Sequence, residues 1–241
     1  MPDPNDLLQE FAERSALTFN DPALLRTALT HRSYLNEHAD LDWEDNERLE
    51  YLGDAVLDFL LAEYLYLAFP NAPEGELTAL RAALVRRETL ARLAQGLGIG
   101  TALIMGHGEV ETGGRERPAT LCAAFEAIVG ALYLDQGVQA VSGWVLPMMD
   151  GELPGARAEV IDKDPKSRLQ ELAQGTLGIT PRYRTVKAEG PDHAKTFTVE
   201  VALGETITGH GEGPNKQIAA QRAALDLLAH VDEWPQVLKE D

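Results

Sequence analysis

Four carboxylates, Glu47, Glu50, Asp54 and Asp58, recur at spacings of three and four residues between Asn46 and Phe59. On a helix at roughly 100° per residue they share a sector of about 80°. Leu49, Leu52, Val56, Phe59 and Leu60 take the opposite side. Like charges at i, i+4 repel by a few tenths of a kcal/mol per pair, and Arg48 is the one basic residue beside them in the sequence. A solvated acidic face would carry the same pattern. A bound cation would relieve the repulsion, and hard oxygen ligands without a histidine cluster favour Mg²⁺ or Mn²⁺ over zinc.

Glu126 sharpens the choice, because it is the only charged residue from Pro118 to Leu134. Its helical face carries Ala123, Ala127 and Gly130, small residues that let another helix approach closely. A carboxylate held in a helix–helix contact costs several kcal/mol or loses its charge unless it is paired. A metal shared with Glu50 and Asp54 would remove that penalty. A neutralised or arginine-paired structural glutamate is the alternative.

The elements that must hold these groups are helices. Asp21-Pro22 has the form of an N-cap with proline at the first helical position, opening a segment through Leu25 and Ala28. A long helix is expected from near Asp45 to before Pro70, another over Glu76 to Gln95, and another from about Ala119 to Leu134, stopped by Gln136-Gly137. Gly106 to Gly114 reads as a polar, glycine-rich loop. No strand alternation precedes residue 150, which predicts an all-α domain over 1–150. Around Asp150 to Asp164 the pattern breaks, and Gly151, Pro154 and Gly155 among charges predict a linker over 151–163. Beyond it, a helix at Ser167 to Gln174, strands at Arg182 to Lys187, Thr196 to Ala202 and Glu205 to His210, and a helix at Asn215 to Ala229 make a small α+β domain over 164–232. Its order is α-β-β-β-α. Residues 233–241 read as a frayed tail.

The 241-residue chain is 44% hydrophobic and 25% charged, an ordinary soluble composition. Its most apolar stretch, Val56 to Phe69, is too short and too charged to cross a bilayer, so no membrane partner is expected. The N-terminus has neither a basic start nor an apolar core of signal-peptide type. The single cysteine, Cys122, excludes an internal disulfide framework and a cysteine-rich zinc site. These features predict a cytoplasmic protein without an organic cofactor. A formal net charge of −18 argues against a nucleic-acid partner unless local basic residues or metal ions mediate the contact.

The segment NERLEYLGDAVL, Asn46 to Leu57, closely resembles the signature of the ribonuclease III family. The similarity continues through ALTHRSY (Ala28 to Tyr34), EGELTALRAALV (Glu74 to Val85) and FEAIVGALYLDQG (Phe125 to Gly137). The resemblance implies a Mg²⁺-dependent endonuclease of double-stranded RNA, with Mn²⁺ as a substitute metal. It assigns Glu50, Asp54 and Glu126 as metal ligands, with Asp54 and Glu126 catalytic. Glu47 and Glu74 match further acidic residues of a valley lined by two protomers, so a homodimer is implied. The expected products carry 5′-phosphate and 3′-hydroxyl ends with short 3′ overhangs, and the expected substrates are ribosomal and messenger RNA precursors. One departure stands out. The family pattern D-x-x-E has Ala123 where aspartate is usual. Loss of one ligand need not abolish Mg²⁺ binding, since this ion commonly keeps several waters. The alternative is a double-stranded RNA-binding protein that has lost cleavage.

The small domain resembles a double-stranded RNA-binding domain, a module that reads A-form shape and not base sequence. Gln170 and Glu171 match its first-helix contacts, and His193 with Lys195 matches its loop contact. Asn215 and Lys216 match the phosphate-binding start of its last helix, where backbone N–H groups and the dipole favour an anion. Gln217 and Pro214 stand where basic residues are common, which weakens that patch. Lys166, Arg168, Arg182, Arg184, Lys187, Lys195, Lys216 and Arg222 roughly balance the acids of this domain, so the acidic excess lies elsewhere.

Overall fold

A computed structural model describes residues 4–163, 165–191, 195–231 and 234. The chain divides into two compact units, Met1–Arg157 and Ala158–Asp241. The first is built from helices: α1 (Pro4–Arg14), α2 (Pro22–Leu29), α3 (Arg32–Glu37), α4 (Glu47–Ala68), α5 (Glu74–Val85), α6 (Arg87–Gly96), α7 (Ile99–Ala102), α8 (His107–Glu111), α9 (Pro118–Gln136) and the greater part of α10 (Val138–Lys163). The helical first domain expected from the sequence is what forms. Its only β feature among the described residues is an isolated parallel bridge between Thr30 and Ile104.

α9 is the central element. Leu121, Ala124, Phe125, Ala127, Ile128, Val129 and Ala131 are all buried, and α2, α4 and α6 pack around it. Among the described residues α9 alone is long and apolar enough to cross a membrane by length and composition. Its burial on several sides explains that composition. Asp21 caps α2, accepting from the Ala23 N–H at 2.9 Å. Gly137 (φ 79°) ends α9.

Three expectations need correction. The single helix over Glu76 to Gln95 is two, because Arg86 is extended (φ −62°, ψ 150°) between α5 and α6. Buried Thr89 secures the break by donating its hydroxyl to the Ala83 carbonyl at 3.0 Å, which satisfies a group near the end of α5. The loop at Gly106 to Gly114 contains the short helix α8, at whose start Glu37 accepts from the His107 N–H at 2.9 Å. The expected break after Asp150 is helical through Lys163 despite Pro147 and Pro154 inside the helix. Tertiary contacts offset the poor local propensity: the Tyr64 hydroxyl donates to Asp150, Arg92 pairs with Glu152, and the Arg157 guanidinium lies 5.2 Å from the Phe69 ring centroid.

The second unit contains α11 (Pro165–Leu177), β1 (Arg182–Glu189), β2 (Thr196–Leu203), β3 (Ile207–Gly213) and α12 (Lys216–Leu228), the α-β-β-β-α order expected. The sheet is antiparallel in the order β1-β2-β3, with a register shift between Thr185 and Lys187. β3 alternates strictly, burying Ile207, Gly209, Gly211 and Gly213. A Cβ on Gly211 would lie 2.2 Å from the Ala223 nitrogen, so the glycines let alanine-rich α12 lie directly on the strand. Leu169, Val199, Val201, Leu227 and Trp234 complete this core. Trp234 is 1% exposed, so the terminal segment read as frayed contributes a buried anchor at that position.

Candidate active site

The start of α4 is fixed by Asn46, a buried residue whose N–H donates to the Thr30 carbonyl at 3.0 Å and whose carbonyl accepts from the Glu50 N–H at 2.8 Å. One turn further on, α4 meets α9 backbone to backbone. A Cβ on Gly53 would sit 1.7 Å from the Glu126 carbonyl oxygen, and one on Gly130 would sit 2.3 Å from the Leu49 carbonyl oxygen. Glycine inside a helix costs about 1 kcal/mol relative to alanine. Here it permits a contact no other residue allows.

That contact sets Glu50 and Asp54, the residues flanking Gly53 on the acidic side of α4, opposite Glu126. Glu126 is half-buried, Glu50 likewise, and Asp54 exposed. Burial is the main cause that pushes the Glu126 carboxyl up to about 7, with the charges of Asp54 and Glu50 adding in the same direction. Glu50 is also raised, first by burial and then by the charges of Glu47 and Asp54. Two influences oppose the rise at Glu126: a hydrogen bond from the Cys122 thiol, 3.5 Å away, and the positive charge of Arg87. Burial and the neighbouring Glu126 hold Cys122 as a thiol, with its pKa pushed up to about 12.

The remaining acidic candidates are engaged elsewhere. Glu47 accepts from Arg32 at 2.7 Å, and Asp58 lies 3.7 Å from Arg81. Cations from α3 and α5 therefore take the two ends of the stripe, which local sequence could not show. Arg48, the basic neighbour in sequence, is 3.8 Å from Glu44 instead. Glu74 is exposed, accepts from the Thr78 hydroxyl at 3.0 Å, and is not among the groups acting on Glu50 or Glu126. Phe59, assigned to the apolar side, is 59% exposed.

What remains is Glu50, Asp54 and Glu126, with Ala123 one turn before Glu126. The charges of Glu50 and Asp54 both raise the proton affinity of Glu126, and three such oxygen donors suit a hard divalent cation in kind. They form no closed cage: among the described residues no three His, Cys, Asp or Glu side chains gather into a metal-binding group.

In the second unit, Gln170 and Glu171 lie exposed on α11, and Lys195 is partly buried just before β2. Asn215 is the N-cap of α12, its side chain accepting from the Ile218 N–H at 2.9 Å, and Lys216 is exposed beside it. His193 lies outside the described residues. Part of the basic complement is committed to the fold. Arg184 pairs with Glu200 at 2.7 Å, Lys187 with Glu189 at 3.0 Å, and Arg222 donates to the Glu212 carbonyl at 2.8 Å.

Sequence reasoning missed Gly53 as the contact residue, Cys122 as a partner of Glu126, and Arg87. A glycine inside a strongly helical run is itself a signal of close approach. Arg87, whose charge acts on Glu126, carries no such signal in the sequence.

A helical unit that carries three candidate carboxylates is followed by an α-β-β-β-α unit, the order expected from the sequence. Comparison with known proteins agrees. A family model described as ribonuclease-III-like matches residues 21–151, and one described as a double-stranded RNA binding motif matches residues 165–231. Ribonuclease 3 of Roseiflexus sp. (strain RS-1) is 46% identical over 226 residues, covering 92% of this chain and 95% of that protein. Ribonuclease 3 of Enterococcus faecalis (strain ATCC 700802 / V583) is 44% identical over 229 residues, covering 95% and 99%. The nuclease domain of ribonuclease III from Campylobacter jejuni superposes with a TM-score of 0.55 at 38% identity, covering 61% of this chain and 95% of that one. The chain belongs to the ribonuclease III family. It is an endonuclease of double-stranded RNA, a hydrolase.

Proposed function

We propose that the protein hydrolyses double-stranded RNA with a divalent metal, Mg²⁺ or in its place Mn²⁺, held by Glu50, Asp54 and Glu126. The observation that carries this reading is the backbone contact of α4 with α9 at Gly53, with Glu50 and Asp54 of α4 both acting through their charge on Glu126 of α9. When bound, the metal supplies a reactive water at neutral pH and offsets charge on the phosphoryl group and the leaving 3′ oxygen. The side chains do the positioning. Cys122 orients Glu126 through its thiol hydrogen bond. Asp54, exposed on α4, meets the solvent side where a duplex can arrive. Asp54 and Glu126 are the catalytic pair.

The products are 5′-phosphate and 3′-hydroxyl ends with short 3′ overhangs, and the substrates are ribosomal and messenger RNA precursors in the cytoplasm. Residues 1–150 cleave, 164–232 bind RNA, 151–163 connect them, and 233–241 form the end. Gln170, Glu171, His193, Lys195, Asn215 and Lys216 contact the duplex. The working form is a homodimer, with Glu47 and Glu74 lining a valley shared by two protomers. α4 supports this, since it leaves Tyr51, Phe59, Tyr66 and Leu67 at 81%, 59%, 70% and 70% exposure, more apolar surface than a solvated helix face usually carries. A second Campylobacter jejuni nuclease-domain structure, which matches with a TM-score of 0.56 at 37% identity, is described as flexible in a region involved in dimer formation.

Loss of the carboxylate at Ala123 alone does not favour a binding protein without activity, because Glu50, Asp54 and Glu126 persist together. Incubating the protein with a duplex RNA, with and without Mg²⁺, tests the reading. Cleavage that requires the metal is expected; binding without cleavage at any Mg²⁺ concentration would overturn it.

A further inference from the structure

The three-stranded sheet of the second unit has two edges, β1 and β3. An edge strand presents a row of backbone N–H and C=O groups on which a strand of another copy can pair. β1 is ill suited to that, because its register shifts between Thr185 and Lys187 and its exposed residues include Arg182, Arg184, Lys187 and Glu189. β3 pairs with β2 without a shift from Phe197↔Gly213 to Leu203↔Ile207. Alternate residues of a strand turn their backbone groups to opposite sides, and two hydrogen bonds decide which set of β3 faces outward. The His210 N–H donates to the Asp226 carboxylate at 2.9 Å, and the Glu212 carbonyl accepts from the Arg222 guanidinium at 2.8 Å. The outward row is therefore that of Thr208, His210 and Glu212. Arg222 and Asp226 stand four residues apart on α12, on one face of the helix. A Cβ on Gly211 would lie 2.6 Å from the Arg222 carbonyl carbon, so the glycines of β3 bring α12 close enough for these side chains to reach the edge.

A carboxylate on a donor and a guanidinium on an acceptor fill the places that an incoming strand would take with its own carbonyl and N–H. We propose that Arg222 and Asp226 close the β3 edge against strand addition by a second copy of this chain. The excluded partner is another β3. Two copies paired antiparallel about His210 would set Thr208 against Glu212, the kind of pair this sheet already makes where the Thr198 hydroxyl donates to the Glu212 carboxylate at 3.3 Å. The closure has a consequence on RNA. A module that reads shape and not sequence seats copies side by side along one duplex, where open edges would meet at high effective concentration. That consequence rests on the reading of this unit as RNA-binding; the closure is tested without RNA and stands or falls apart from it.

The test uses the full chain carrying Arg222→Ala together with Asp226→Ala. Sedimentation velocity over a range of protein concentration should show species larger than those of the unsubstituted protein. Amide hydrogen exchange should show the His210 N–H losing protection in this variant at low concentration and regaining it as the larger species form. Thr208→Pro, added to the double variant, removes an outward N–H and no bond to β2, so it should return the assembly to the unsubstituted size. Arg222→Lys with Asp226→Asn keeps a donor and an acceptor and should not assemble further. In the unsubstituted protein the His210 amide should exchange more slowly than that of Thr208, the next outward amide of the same strand. Equal exchange of these two amides overturns the proposal without recourse to any variant. No growth in size in the double alanine variant overturns it too, as do larger species that survive Thr208→Pro, because association would then not run through the β3 edge.

Discussion

A Cβ placed on Gly53 would sit 1.7 Å from the carbonyl oxygen of Glu126, so the two helices that carry the candidate ligands touch at the site itself. The obstruction is backbone, which cannot rotate away as a side chain can. Gly53→Ala must therefore separate α4 from α9, and we expect it to lower stability by about 3 kcal/mol, the upper end of ordinary overpacking. Gly143, inside α10, has nothing within 4 Å of its Cβ position. Gly143→Ala should be neutral or stabilise by up to about 1 kcal/mol. Thermal unfolding of the two variants checks this, and equal shifts would contradict it.

Metal-free stability should depend on pH with a definite sign. Glu126 is raised from 4.5 to about 7 in the folded protein, and Glu50 is raised as well. The folded state thus holds these protons more tightly than the unfolded chain. Their contribution is most favourable below the unfolded value and is lost as pH rises through the folded one. In EDTA, Tm should fall between roughly pH 5 and pH 8, and the fall should be smaller in Glu126→Gln. Mg²⁺ should restore Tm at the upper end, because an ion bound only by the folded state stabilises it. A larger fall in Glu126→Gln than in the unsubstituted protein would contradict the assignment of the shift.

Ala123 offers a gain-of-ligand experiment. Ala123→Asp adds a carboxylate one turn before Glu126 on α9, adding like-charge repulsion in the metal-free protein. Metal-free Tm should drop, while the Mg²⁺ concentration for half-maximal cleavage should fall several-fold. Titration of the cleavage rate with Mg²⁺ measures this, and a higher Mg²⁺ requirement would count against a shared site.

Much of this architecture was legible because local signals and tertiary structure agree. The Asp21 cap, the long amphipathic α4 and the glycine stop after α9 all follow from patterns that the fold leaves undisturbed. Glu126 stood out because a lone charge on an apolar helix must be accommodated by something across a contact. The failures share one cause, which is dependence on residues distant in sequence. Glu47 and Asp58 looked equivalent to Glu50 and Asp54 until Arg32 and Arg81 arrived from other helices. The segment after Asp150 looked like a linker because Gly151, Pro154 and Gly155 are poor helix formers, yet Tyr64, Arg92 and Phe69 hold it in α10. The break between α5 and α6 is held by a hydroxyl–carbonyl bond from Thr89 to Ala83 that no periodicity encodes.

Adjacent residues at the start of α12 should separate by readout. The Asn215 side chain is used as a cap, so Asn215→Ala should cost about 1 kcal/mol of stability in the second unit. Lys216 is exposed, and Lys216→Ala should leave Tm unchanged while reducing the salt slope of duplex binding by about one. Paired melting and binding measurements distinguish the two, and a salt slope unaffected by Lys216→Ala would remove this residue from the interface.

The proposed role of Glu126, with Glu50 and Asp54, is to hold the ion that cleavage requires. Its most direct test is Glu126→Gln assayed in parallel for duplex RNA binding and for Mg²⁺-dependent cutting. Binding affinity within about twofold of the unsubstituted protein, with cutting reduced on the order of a thousandfold or more, is the predicted result. Undiminished cutting by Glu126→Gln would contradict the account.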